Sequence, residues 1–473
     1  MTDPLLSHIQ RAIAIFCQLL AARLLGWSQA RDAQAILDLE AQVHELTRLL
    51  GDIIVASLLR SILADPTLQA EATAAARQMD TPMRDGGRRT VKIRLLGGST
   101  FEATVPYLKP DRRKPRRGRK RKPGRRGKGG AGICPTLAAL GIWERATPAL
   151  TAEIVHQMSA ADSHAAAFEA LERRGIAFNT KTLRGIFYHF AHRAHAQRMA
   201  WVEQTNAKAA CATGPLAGAR VVITTDGGRC RIRTNARAGR RRRESRHRGF
   251  TAPWKEPKVL VIYCVDEEGK RLSTWRPVLD ATMDDCEAIY AMLIAYLKAL
   301  GASAAKELIV VADGAPWIWE RVGQLALALG VSRSSVVEVL DFYHASEAVH
   351  RVAEVPHWKP GERKRWLTRA LKLLRDGHID GLIGHIKSLA VGRRAKAIGE
   401  HVGYFERHKD RMRYKWFKAK GVPRSSGAVE SVVRRVVNLR LKSNGKFWLR
   451  ENAQGMLLVR SYLRSRPESY GRR

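Results

Sequence analysis

Three short apolar runs, each ending in an acid, constrain this chain more than any other feature. Residues 308–312 read LIVVA, β-branched and of strand length, and Asp313-Gly314 follows. Residues 336–340 read VVEVL and end at Asp341, with His344 three residues further on. Residues 221–225 read VVITT and end at Asp226-Gly-Gly-Arg229. Runs of this kind are typical of strands buried on both faces of a sheet. In open α/β sheets, ligands and catalytic groups collect outside the carboxyl ends of such strands. A fourth acid, Glu430, lies in an apparent helix that opens at SSGAVES, residues 425–431.

Hard divalent cations prefer carboxylate oxygen, and two-metal phosphoryl-transfer sites gather carboxylates from separate elements. Each acid also has a plainer reading. Asp-Gly is a common turn, Glu430 is spaced to pair with Arg434, and Asp341 is placed to N-cap a helix on which His344 merely packs. Asp226, Asp313 and Glu430 together, each at the end of an element, favour a site over three coincidences. Trp317 and Trp319 are assigned to the core, and Cys230 has no role of its own.

The order DGGR, ADGAPWIW, DFYHA, SSGAVES resembles the DDE transposases of bacterial insertion sequences, in the Mutator-like group, over roughly residues 130–460. ADGAPWIW followed by DFYH carries most of that resemblance. It implies an RNase H-like catalytic core in which Asp226, Asp313 and Glu430 are the catalytic, metal-binding triad for two Mg²⁺ ions, with Mn²⁺ as a substitute. Asp341 and His344 match the family's C/D-x-x-H element and would support the site without being core ligands. The implied reaction is cleavage by water at a transposon end, then attack of the freed 3′-OH on target DNA. Two other classes stay open: an RNase H-like nuclease or resolvase that cuts without joining, and a domesticated, non-catalytic DNA-binding protein.

The formal net charge of +39 is an argument about partners. So basic a chain repels itself unless it meets a polyanion, and nucleic acid is the foremost one. DNA is therefore an expected partner; the transposase resemblance makes it transposon ends and target DNA, with a homo-oligomer, dimer or higher, on that DNA. No amphipathic anchor suggests a membrane surface, and no apolar run reaches spanning length. The six cysteines are scattered without a C-x-x-C pair, so neither a zinc knuckle nor a disulfide framework is indicated. These features place the protein in the cytoplasm, associated with the nucleoid.

The whole reads as a multidomain α+β protein: a helical N-terminal DNA-binding region, then an RNase H-like α/β core interrupted by an all-helical insertion. Residues 1–85 form a helical module, with helices at 33–50 and 52–63, that serves either packing and dimerisation or DNA. Residues 86–110 form a β-hairpin around Gly97-Gly98. Residues 111–130 are a basic linker whose Arg116, Arg117, Arg119, Lys120 and Arg121 would touch phosphate without reading sequence. Residues 131–215 form a helical region with a candidate helix-turn-helix, in which Lys181, Thr182 and Arg184 open the second helix. Any two short helices around a glycine turn would give the same pattern.

The catalytic core is assigned to 216–345 and 424–460, with antiparallel strands at 258–265 and 271–278, a helix at 283–300 and another at 317–329. A basic loop after Asp226 carries Arg240, Arg241, Arg242 and Arg243 as DNA contacts. Residues 346–423 are the helical insertion, whose Trp358, Trp366 and Trp416 suit either stacking on DNA ends or a core, and 461–473 are a basic tail.

Overall fold

The computed structural model describes residues 4–27, 32–79, 81–111, 132–234, 250–443 and 445–465. The linker residues Arg116, Arg117, Arg119, Lys120 and Arg121 and the loop residues Arg240, Arg241, Arg242 and Arg243 lie outside them. Helix accounts for 57% and strand for 16%, and the main sheet is mixed, which makes the class α+β. The chain divides into two compact units, Met1–Phe190 and Ala191–Arg473.

In the first unit, α1 (Pro4–Trp27), α2 (Ala33–Ala64) and α3 (Pro66–Arg77) precede the hairpin β1 (Met83–Arg94) and β2 (Thr100–Pro110). The sequence suggested two helices between 33 and 63, but α2 runs straight through Gly51. A single glycine costs a helix only about 1 kcal/mol, too little to stop one whose apolar periodicity continues on both sides. The hairpin turn is fastened to α2: buried Asp52 accepts the backbone N–H of Gly97 at 2.9 Å and of Ser99 at 3.0 Å. Ala56 and Leu63 of α2 pack with Val91, Ile93, Phe101 and Val105 of the hairpin and with Leu137 and Ile142.

Helices α4 (Pro135–Ala139), α5 (Pro148–Ala160) and α6 (His164–Glu172) follow, then α7 (Thr180–Asn206), within which the division between the units falls. Ser163 caps α6 by accepting the N–H of Ala166, Gly175 turns the chain at φ +79°, and Asn179 caps α7 through the N–H of Thr182. Lys181 and Arg184 stand exposed in the first turns of α7 and Thr182 is half-buried, while Leu183, Ile186 and Phe187 are buried.

The second unit is built on a five-stranded sheet. Its strands are β3 (Arg220–Gly227), β6 (Lys258–Val265), β7 (Val278–Thr282), β8 (Glu307–Ala312) and β9 (Val336–Leu340), in the spatial order β7-β6-β3-β8-β9. β6 runs antiparallel to both β3 and β7, whereas β8 is parallel to both β3 and β9. A two-residue ladder, β4 (Cys230–Arg231) with β5 (Trp254–Lys255), stands beside it.

The strand expected at 271–278 is displaced to 278–282. Residues 271–276 are mostly exposed and Pro277 cannot donate to a ladder, whereas VLDAT is buried at all five positions. Helix α8 (Cys286–Ala299) leads into β8. The helix expected at 317–329 is two pieces, α9 (Pro316–Trp319) and α10 (Val322–Leu329).

After β9 come α11 (Phe342–Val352) and a helical block of α12 (Glu362–Asp376), α13 (Ile379–Lys387), α14 (Ala395–Arg407) and α15 (Tyr414–Ala419). Trp366 belongs to the core of this block, with Leu374, Leu382, Ile386, Ile398, Phe405 and Phe417, whereas Trp416 is exposed. The chain returns through α16 (Gly427–Val432), a π-helical stretch (Val433–Asn438) and α17 (Leu439–Leu441) to α18 (Arg450–Ser465). Ser465 closes α18 onto β7 by bonding both backbone groups of Leu279. Among the described residues, no helix is long and apolar enough to cross a membrane.

Candidate active site

The register of the sheet puts the acids where the three runs implied. Asp226 is the penultimate residue of β3, opposite Val259 of β6. β8 and β9 end together, Ala312 beside Leu340, and the N–H of Asp341 donates to the carbonyl of Ala312 at 2.8 Å. Asp313 and Asp341 therefore leave neighbouring strands at one edge of the sheet.

Asp313 is held on both sides. Its carboxylate accepts the N–H of Ala315 at 3.0 Å, and its carbonyl accepts Nε1 of Trp319 at 2.8 Å. Trp319 is thus core by burial and also the clamp on the backbone of Asp313. Asp341 is fully buried; one oxygen accepts the N–H of His344 and so caps α11, and the other accepts the N–H of Ser426. Ser426 precedes α16, the helix that carries Glu430, and its hydroxyl donates to Glu430 at 3.4 Å. Glu430 itself is exposed, on α16 just before the π-helical stretch. His344 is partly exposed, with Nδ1 3.6 Å from Glu347.

Electrostatics ties these groups together. Burial pushes the Asp226 carboxyl up to about 6; the negative charges of Asp313 and Glu430 push the same way, and the Gly227 N–H and His344 oppose them. The structure therefore brings Asp313, Glu430 and His344 close enough to act on Asp226. Among the described residues, no three His, Cys, Asp or Glu side chains stand close enough to enclose a metal ion. The donor set nevertheless suits a hard divalent cation: it is all carboxylate oxygen, and a cation would compensate the buried charge of Asp226 and the acids that press on it.

A cavity of about 360 Å³ opens beside Asp226 and Asp313, lined also by Arg229, Trp254, Lys255 and Trp317. The glycines after Asp226 keep its wall thin. A Cβ on Gly228 would lie 3.0 Å from Val437 of the helix that follows Glu430, and one on Gly227 would strike Glu256.

Tyr404 escaped the sequence reading. It comes from α14 in the helical block, and its ring is packed so closely on Gly314 that a Cβ there would sit 2.7 Å from it. Burial pushes its phenol up to about 12, with Asp313 and Asp341 adding to the rise and Arg351 opposing it. The available signal was only the lone glycine after Asp313, which asks for close approach without saying by what. Cys230 is buried, its Sγ 3.7 Å from Sδ of Met283, which leaves it a packing residue.

No protein-family model matches this chain, and no curated protein matches it either. The resemblance to DDE transposases accordingly rests on the four motifs and their order.

Proposed function

We propose that the chain is a DNA transposase with an RNase H-like core, cutting the ends of an insertion sequence and joining the 3′-OH to target DNA. The observation that carries this reading is the field at Asp226: Asp313 from the end of β8 and Glu430 from α16, both distant in sequence, act on the one carboxyl group at the end of β3. The sheet order supports it, since three antiparallel strands followed by two parallel ones set the first and fourth strands side by side. Asp226, Asp313 and Glu430 would hold two Mg²⁺ ions, whose chemistry when bound is to polarise the phosphate and activate the attacking oxygen. Asp341 fixes the loop before α16, Trp319 fixes Asp313, and His344 would hydrogen-bond a phosphate oxygen or a metal-bound water. The exposed Lys181 and Arg184 at the start of α7 suit contacts to a DNA groove.

The test is an end-cleavage and strand-transfer assay on DNA carrying the gene's own flanks. Asp226→Asn, Asp313→Asn and Glu430→Gln should each abolish cleavage while leaving end binding nearly intact. Cleavage by Asp313→Asn in Mg²⁺ would sink the triad, and cutting without a joined product would turn the reading to a nuclease.

A further inference from the structure

After Asp226-Gly-Gly the chain alternates strictly. Arg229, Arg231 and Arg233 are exposed, while Cys230 and Ile232 are buried at 0% and 6% exposure. That is strand periodicity, with three arginines on one side. β5 sets Trp254 opposite Arg231, and the guanidinium stacks over the indole at 5.3 Å from its centroid. One step along the arm, Arg233 stacks over Phe250 at 4.3 Å, and Phe250 packs on Phe447 with centroids 4.3 Å apart. Trp254 remains 50% exposed and Phe447 44%. The arm is fastened by backbone pairing: Arg233 N–H donates to the carbonyl of Trp448 at 2.7 Å, and Trp448 N–H to that of Arg231 at 2.9 Å. Trp254 and Lys255 also line the cavity that holds Asp226 and Asp313.

We propose that this row of arginine-backed rings is a binding track for unpaired nucleotides of the DNA strand whose phosphate reaches the acids. The inference rests on the phosphoryl-transfer reading of that cavity. Trp254 takes the base next to the cavity, and Phe250 and Phe447 take bases further out. Arg229, Arg231, Arg233 and Lys255 neutralise the phosphates between them. A flat ring kept in water is suited to stacking on another flat ring, and every base offers one, so the contact tolerates any sequence. A duplex hides its base faces in its own stack; only an unpaired base can meet Trp254. Stacked arginine adds cation–π attraction and holds each ring in place. Three arginines in one short arm and Lys255 on its partner strand, in a chain with net charge +39, argue for a polyanion rather than a protein partner.

The experiment uses the full chain in a chelating buffer, so that binding is read without cleavage. Two DNAs are compared by fluorescence anisotropy: a blunt duplex, and the same duplex with a short single-stranded overhang carrying 2-aminopurine. Trp254→Ala should weaken binding of the overhang DNA about tenfold, the loss of one stacked base, and leave the blunt duplex unchanged. Trp254→Phe should keep most of the affinity, and the quenching of 2-aminopurine seen with the native chain should disappear only in the alanine variant. Arg231→Ala should reproduce a smaller loss on the overhang alone, which covers the case where Trp254→Ala fails to fold. Equal loss on both DNAs, or undiminished quenching, overturns the proposal. Because no bond is cut in this assay, its outcome is independent of whether the acids prove catalytic.

Discussion

Asp341, buried at the end of β9, accepts the backbone N–H of Ser426, 85 residues further along the chain. Its other carboxylate oxygen accepts the N–H of His344 at 2.9 Å. One side chain thus caps the helix that carries His344 and anchors the residue that precedes α16, the helix that carries Glu430. Both partners are donors, so an amide cannot replace the acid: Asn offers one acceptor oxygen and would turn an NH₂ toward the second N–H. Asp341→Asn should therefore cost roughly 1–3 kcal/mol of stability, the penalty for a buried donor left unpaired. Through the displaced Glu430 it should also lower cleavage roughly 10–100-fold, the loss usual for residues that orient metal ligands. A thermal melt, a Mg²⁺ titration of cleavage and an end-binding assay separate these effects. Native activity with a native Mg²⁺ requirement would reduce Asp341 to a helix cap.

Asp226 predicts a pH dependence of definite sign. Its carboxyl is raised from 3.8 to about 6 in the folded chain. The native state then binds more protons than the unfolded one, so this group contributes stability that is full below about 3.8 and lost as pH rises through about 6. At pH 7, with chelator present, Asp226→Asn should melt higher than the native chain, by roughly 1–3 kcal/mol of added stability. The difference should shrink toward pH 4. Added Mg²⁺ should stabilise the native chain more at pH 7 than at pH 5 and the variant little at either. If the melting difference between native chain and variant showed no change across pH 4–7, the upward shift that burial gives Asp226 would be refuted.

The strands that end in acids were legible because burial on both faces leaves an apolar run with no competing period. The same logic located the helical block between Asp341 and Glu430, whose helices carry their own core around Trp366 and Phe405. It failed at 271–278, where a β-branched and aromatic composition concealed an exposed loop and the five buried residues of VLDAT came after the proline. The arm at Arg231 and Trp254 was hidden for a different reason. Its alternation of Arg with Cys and Ile was submerged in a basic stretch, and its partner strand lies more than twenty residues on. Tyr404 beside Gly314 is a tertiary contact that no local pattern encodes.

On the proposed reading, the start of α7 and residues 111–130 would make two different kinds of DNA contact. Lys181 and Arg184 are exposed there, on a helix whose opposite side is fixed by buried Leu183 and Phe187. Lys181→Ala or Arg184→Ala should weaken binding to the specific ends more than to random DNA, as residues reading base edges do. Deletion of residues 111–130 should instead weaken both DNAs equally and lower the slope of log affinity against log salt by about 0.9 for each phosphate no longer neutralised. A salt titration with both DNAs reads the two effects side by side. Equal losses for the α7 variants would remove them from base recognition, and an unchanged slope for the deletion would leave residues 111–130 as a tether.

Gly314 and Tyr404 form a coupled pair in the sheet-edge corner that holds Asp313. A methyl group at position 314 would stand 2.7 Å from the Tyr404 ring, so either the ring or the Asp313 turn must shift. Trp319 and Ala315 both hold that turn by hydrogen bonds, which leaves the ring as the group that gives. Gly314→Ala should cost about 1–3 kcal/mol, as overpacking does in a tight interior. In a Tyr404→Ala background the clash has no partner, and the same substitution should cost little. The double-mutant cycle, measured by chemical denaturation, should therefore return a coupling of about 1–2 kcal/mol. Cleavage should fall far less than stability in Gly314→Ala, because the ring moves while the hydrogen-bonded turn keeps Asp313 in place. Additive stabilities would show that Tyr404 does not press on Gly314 and would detach the helical block from the site.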